Sequence, residues 1–519
     1  MFKSTNELVL GVDITTVFED SSENVRTYMV GDMVEDLHYI NGDEIGVVTG
    51  RLKAIVYEAA DEIEFNPENP EDTLNHDMRL KRLVIDTSEK YNASSVSVPL
   101  IEVVEFEGET NVKRMKFAPH LIVNMTFKYS NYITSEASIE VNDVFDHVRI
   151  FNKEDIRNDI TGKFEVAAFA YNKVNEGLDF TGFAFHNVDT GEFIITEYKD
   201  ILELNEVYTY TVEDLEILQT ALSELKDGDN LVVSKSVDTS NGNKIAITQK
   251  DISIKFDEDI ICDGGSTSGL RVTGTAVLSG KGKVVTTTPY DSSHGSGVIA
   301  VNNDGELTIN DGGISAVIED DPVNKGQFGV CVYENAKLTI NDGEYTAGWY
   351  CVTGNGSTTS ADAVTVINGG KFTSVADYAI YHPHPGTLII NDGDISGAAG
   401  AIAANNGKII INGGKFSVLG GGDTGNWGDG TSGLSDVALN LNARYGDIEC
   451  LITGGTFYAT AAGTIMIQTG SAHNVVLKIT GGKFTSKPND EWIGENFMCT
   501  AEPDEDGFYQ VVPRLLEEG

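Results

Sequence analysis

Between residues 307 and 485 one pattern of apolar and polar positions comes round seven times: LTINDGGIS (307–315), LTINDGEYT (338–346), TVINGGKFT (365–373), LIINDGDIS (388–396), IIINGGKFS (409–417), CLITGGTFY (450–458) and LKITGGKFT (477–485). Each unit opens on a short β-branched run ending in Ile309, Ile340, Ile367, Ile390, Ile411, Ile452 or Ile479, which predicts a strand with alternate side chains inward. A polar residue and glycine follow, turn chemistry that accepts positive φ. One residue past a variable position comes an apolar or aromatic anchor: Ile314, Tyr345, Phe372, Ile395, Phe416, Phe457 or Phe484. The shared glycines lie 31, 27, 23, 21, 41 and 27 residues apart. Short strands and glycine turns at periods of about 20–30 residues predict a β-solenoid with variable loops. The anchors are then expected to stack as an internal core ladder, each aromatic burying roughly 150–250 Å².

The strands ahead of these turns align as well: VIAVNNDGELTIN (298–310), VCVYENAKLTIN (330–341), AIYHPHPGTLIIN (379–391) and AIAANNGKIIIN (401–412). In this register His382 and His384 fall where other units carry Asn-Asn or Glu-Asn-Ala, at a corner stiffened by Pro383 and Pro385. A metal site needs more than two ligands and no third is dictated. An exposed structural turn is the expectation.

These segments resemble the right-handed parallel β-helix modules, pectate-lyase-like in shape, of many bacteriophage appendage proteins and bacterial surface proteins. The resemblance covers roughly residues 210–519. Within it, TVEDLEILQTALSELKDGDNLVVSK (211–235) looks like the helix that plugs the first end of such coils. Thr211 with Asp214 forms a capping-box pattern, and Leu215, Leu218, Leu222 and Leu225 form one stripe. The ending FTSKPNDEWIGENFMCTAEPDEDGFYQVVP (484–513) looks like a closing segment. Capping both ends blunts sheet edges that would otherwise invite aggregation.

The first 210 residues carry no such repeat. Alternation in 44–65, 94–130 and 163–198, between Gly, Asn and Asp turns, predicts antiparallel β-domains of sandwich or barrel type. The expected fold class is therefore all-β, with N-terminal antiparallel β-domains followed by a helix-capped right-handed parallel β-helix. The expected division is a β-domain over 1–150, a second small β-domain over 151–210, a capping helix over 211–228, the β-helix over 229–487 and a closing segment over 488–519.

Charge narrows the partners. The chain of 519 residues has a net charge of −44, spread over both halves. Nucleic acid and bare anionic membrane are disfavoured, since both need a basic footprint. No run of about 18 apolar residues exists, so membrane insertion is not expected. The opening MFKSTNELVLGVDITTVF lacks the apolar core of a secretory signal. Five cysteines without a CxxC disfavour a disulfide framework or zinc site and suit buried thiols in a reducing compartment.

Candidate chemistry is sparse. Carboxylates at Asp342/Glu344 and Asp392/Asp394, with Asp377 nearby, are the places for glycan hydrolysis, which needs two acids within about 5–10 Å. The variable position alternates in sign (Glu344, Lys371, Asp394, Lys415), as a solvated face does. A lyase would want a basic residue beside an acidic cluster, and Arg444 is one of three arginines after residue 250. Trp427, within GGGDTGNWGDGTSG (420–433), is the candidate glycan-binding residue. The resemblance implies a virion structural protein made in the host cytoplasm: a head or tail fibre, or a decoration protein. It would attach to other virion proteins through its N-terminal region, project toward a host surface glycan and assemble as a homotrimer. No catalytic residue, metal or cofactor is expected; the alternative is a β-helix polysaccharide depolymerase.

Overall fold

The computed structural model describes residues 3–41, 44–59, 78–87, 96–99, 103–105, 112–153, 155, 158–174, 177–204, 207–241, 244–263, 268–286, 297–317, 327–354, 363–421, 437–458, 463–468 and 473–514. Strands dominate it. The chain divides into two compact units, Met1–Tyr208 and Thr209–Gly519. Among the described residues no helix is long and apolar enough to cross a membrane.

The first unit is antiparallel. Two long strands, Lys3–Phe18 and Val112–Lys128, pair along nearly their whole length. Alternate residues of the second are buried, as period-two patterning requires. Its first half sends Val112, Met115 and Phe117 into a core with Leu37, Leu52, Leu83 and Ile85 of a four-stranded sheet (Met33–Asn41, Glu44–Ala59, Met78–Asp86, Val96–Pro99). Its second half sends Leu121, Val123, Met125 and Phe127 into another core, shared with Phe164, Phe169, Phe183 and Phe185. The strand Val144–Ile150 pairs with Ile160–Val174 and with Ile201–Glu203. A domain boundary at 150 would therefore cut through one hydrogen-bonded sheet. The two cores share their long strands, and the division into 1–150 and 151–210 does not describe them.

The second unit is a parallel β-helix. It starts with the strand Thr209–Val212 and the helix Leu215–Glu224, which packs against that strand and against Ile245–Ile247. The helix is shorter than the 211–228 read from sequence. Asp214 alone caps it, its carboxylate accepting from the Ile217 N–H at 2.9 Å, because Thr211 is held in the strand opposite Val232. Each later turn gives one strand to each of three sheets, the first turn supplying Asn230–Val233, Val237–Asp238 and Ile245–Ile247. Counting that turn, ten first-sheet, ten second-sheet and nine third-sheet strands run in parallel register among the described residues. The far end is closed by Tyr509–Pro513, antiparallel both to Lys483–Phe484 and to Phe497–Cys499. That covers an edge that would otherwise accept another strand.

Register places the repeat anchors side by side: Ile314, Tyr345, Phe372, Ile395, Phe416, Phe457 and Phe484 pair in succession along the second sheet. All seven are fully buried. Tyr345 stacks on Phe372 at 4.6 Å, Phe416 on Phe457 at 4.5 Å, and Phe457 on Phe484 at 4.9 Å between ring centroids. A parallel sheet spaces strands by about 4.8 Å, so identical rings in register fall into stacking contact without adjustment. The repeat glycines sit at φ between +90° and +133°. A Cβ at Gly370 would also stand 3.0 Å from the Gly343 carbonyl oxygen of the rung before. Glycine is required there twice over, by conformation and by space.

The turn asparagines form a second ladder, on the outside. Asn341 donates to Asn310, Asn368 to Asn341, Asn391 to Asn368 and Asn412 to Asn391, each at 2.7–2.8 Å. Thr453 continues it, donating to Asn412 at 2.9 Å. Each amide serves as donor to one rung and acceptor to the next, which locks neighbouring corners into the same shape.

Candidate functional site

The histidine pair lies inside the coil. His382 and His384 are 3% and 2% exposed, not at an open corner. His382 belongs to the strand Tyr378–His382 and pairs with Ala404; the equivalent position in two other rungs is Val332 or Leu441. That position points inward. Gly354 one rung before leaves the space that the His384 ring fills, since a Cβ there would stand 2.3 Å from His384 Cδ2. The Gly386 N–H donates to His384 Nδ1 at 3.2 Å, and His382 Nε2 donates to the Gly386 carbonyl at 3.1 Å. Acceptance at Nδ1 requires a neutral His384 ring with its hydrogen on Nε2, and His382 carries a hydrogen on Nε2. Among the described residues no three His, Cys, Asp or Glu groups gather as metal ligands.

Burial, together with the charge of its neighbour His384, holds His382 down to about 3, and burial holds His384 down to about 4. The unfolded chain would take up these protons near the ordinary 6.5. Keeping both rings neutral thus adds stability that is full above pH 6.5 and is lost as pH falls toward 4. The coil is expected to lose denaturation midpoint between pH 6.5 and 4.5, with up to two extra protons taken up on unfolding. His382→Leu/His384→Leu should remove most of that slope, whatever its effect at pH 8. An unchanged slope would contradict the buried neutral pair.

Outside the third sheet, aromatic and amide groups form a network. Phe328 stacks on Tyr350 at 5.6 Å, and Tyr350 on Tyr381 at 4.8 Å. Rings stacked along the coil cover one another's faces. Tyr378 lies against Gly400 on the next rung, where a Cβ would meet its ring at 2.4 Å. Asn440 donates to the Tyr378 hydroxyl at 3.2 Å, Gln468 to Asn440 at 3.2 Å, and Asn405 to the Tyr381 hydroxyl at 3.3 Å. Asp377 is buried; it accepts from the Tyr378 N–H at 2.7 Å and holds the Tyr350 hydroxyl. Burial, then the Asp377 charge, raises Tyr350 well above its ordinary value. At the rim, the Arg444 guanidinium sits 5.1 Å over the half-open ring of Tyr445. Sequence reading missed this network. Its signal was Phe328, Tyr350 and Tyr381 recurring out of phase with the glycines.

The other carboxylates have local partners. Asp342 and Asp392 accept from the next glycine N–H of their own turns at 2.8 Å. Glu344 pairs with Lys283 at 2.6 Å, which draws its carboxyl below the usual range, and Asp394 meets Lys415 at 3.8 Å. In register the outward row reads Asp259, Lys283, Gly313, Glu344, Lys371, Asp394, Lys415, Thr456, Lys483, so sign alternates along it as far as Lys415. The five cysteines are buried, and burial pushes Cys331, Cys351 and Cys450 up to about 12, too high for nucleophiles. Trp427 lies outside the described residues.

The three corners differ in length. First-to-second corners take three residues at nine of ten turns, as in 310–312 and 391–393. Second-to-third connections run from two residues (398–399) to twenty (419–438), and third-to-first connections vary as well, from 405–406 to 355–363. Variation thus flanks the third sheet, where the tyrosine and amide network lies, and Trp427 belongs to the longest connection.

Comparison of the chain with protein-family models, with curated proteins and with solved structures finds no match.

Proposed function

We propose that this chain is a non-catalytic structural and binding protein of a bacteriophage virion. Its first unit attaches to the particle, and its coil carries the third-sheet side toward a host surface glycan. The observation that supports this most is the contrast between corners. One edge of the coil repeats with fixed length and self-complementary ladders, while insertions of unequal length gather around the third sheet. A rigid scaffold with variable loops on one side is the usual layout of a recognition surface. The carboxylates that hydrolysis would need are engaged in their own turns or in ion pairs with other rungs, and Asp377 is tied to tyrosine. A surface of net charge −44 favours a neutral glycan over an anionic one.

Trp427→Ala tests the contact. Purified variant should bind host cells or their glycans about tenfold or more weakly, as loss of an aromatic hot spot does, with the coil's melting midpoint unchanged. Equal binding would remove Trp427 from the account. New reducing ends or unsaturated uronates from capsule or mucin would establish the depolymerase alternative instead. Antibody against residues 300–480 should decorate intact particles, and bare particles would contradict the virion assignment.

A further inference from the structure

The outer face of the first sheet carries a row that the binding proposal does not use. Register runs it from Val277 through Thr308, Thr339, Val366, Ile389 and Ile410 to Leu451. The row stays uncharged back through Ser253 and ends at Lys478. Val277 is 41% exposed, and Val366, Ile389, Ile410 and Leu451 are half-buried. At about 4.8 Å per rung the row is about 29 Å long. The matching row of the second sheet is hydroxylic, Ser315, Thr346, Thr373, Ser396 and Ser417, so an aliphatic row from Val366 to Leu451 on a chain of net charge −44 is not the default surface.

What flanks it points to the occupant. Two residues before, each strand carries the row Glu306, Lys337, Val364, Thr387, Lys408, Glu449. Two residues after lies the asparagine ladder, Asn310 to Asn412. Turn a second coil about an axis parallel to the first, with rungs level, and apolar row meets apolar row. Each charged row then faces the partner's neutral amides, and like charges do not meet. Identical rung spacing makes this match hold along the whole length. A different protein would have to reproduce that spacing; a second copy does so automatically.

We propose that this face packs against the same face of a second copy of the chain, side by side and in parallel register. A face about 30 Å long and three residue rows wide covers on the order of 600 Å² per copy, near the lower bound of specific interfaces. Association is therefore concentration-dependent and needs salt to screen self-repulsion elsewhere.

Sedimentation of the full chain at about 0.15 M salt, where screening acts beyond about 8 Å, tests this. The mass should rise with concentration from 56.0 kDa to twice that, since a face that packs on itself closes at two copies. Ile389→Glu/Ile410→Glu should hold it at 56.0 kDa with an unchanged circular dichroism spectrum, while Thr373→Glu/Ser396→Glu on the second sheet should not. A wild-type chain that stays monomeric, or an Ile389→Glu/Ile410→Glu variant that assembles normally, would overturn the proposal. Should that variant fail to fold, Ile410→Cys decides. Mild oxidation should link copies through position 410, and absence of that link would overturn it too.

Discussion

Phe416→Ala is expected to lower the coil's stability by about 3–5 kcal/mol, the usual loss for a buried aromatic cut back to a methyl group. Phe416 is fully buried midway along the second-sheet ladder, between Ile395 and Phe457. Removing it leaves a cavity that neither neighbour can fill, because each is held in register by its own strand. It also ends the 4.5 Å stacking with Phe457, about 0.5–1.5 kcal/mol beyond burial. A solenoid rung contacts only its neighbours, so the defect should split one guanidinium transition of the coil into two. Thr373→Ala, on the outer face of the same sheet, should cost less than about 0.5 kcal/mol. A Phe416→Ala loss below about 1 kcal/mol would mean the ladder does not carry the core.

The second large effect concerns the histidines. Gly354→Ala is expected to destabilise the coil by about 1–3 kcal/mol through overpacking, because the added Cβ would lie 2.3 Å from His384 Cδ2 and 2.6 Å from Nε2. The backbone at Gly354 does not require positive φ, so space alone is at issue. His384→Ala should relieve the clash. In the double variant the two losses should fall short of additivity by about 0.5–3 kcal/mol, the range for residues in contact. Additive losses, read from guanidinium midpoints, would contradict the placement of His384 inside the coil.

The repeat was readable because its chemistry is local. A β-branched run, a glycine turn and an anchor recur whatever length of loop separates them, and Ile309 through Ile479 fall into one buried column. What was not readable depended on neighbours. The corner position of His384 was visible, but its burial depends on Gly354, a rung away, leaving a gap, and His382 ends a strand at an inward position where a corner was expected. The alternating charges from Glu344 to Lys415 were legible, whereas Asp259 and Lys283 belong to the same row and precede the first recognisable Asn-Asp-Gly turn. The tyrosine network escaped because connections of unequal length throw Phe328, Tyr350 and Tyr381 out of step with the glycines. In the first unit, alternation announced antiparallel strands. That Lys3–Phe18 and Val112–Lys128 serve two cores at once is a long-range pairing that no local pattern reveals.

Spin labels on the exposed second-sheet row test the central claim, a single stack of equal rungs. The native cysteines are buried, so cysteines replacing Asp259 with Lys415, and Asp259 with Lys483, would carry the labels. These positions are six and eight rungs apart in register. Pulsed electron–electron resonance should give distances near 29 and 38 Å, growing by about 4.8 Å per rung although the residues per rung vary. Distances that instead follow the number of intervening residues, or broad distributions without a rung increment, would contradict the stack and the scaffold built on it.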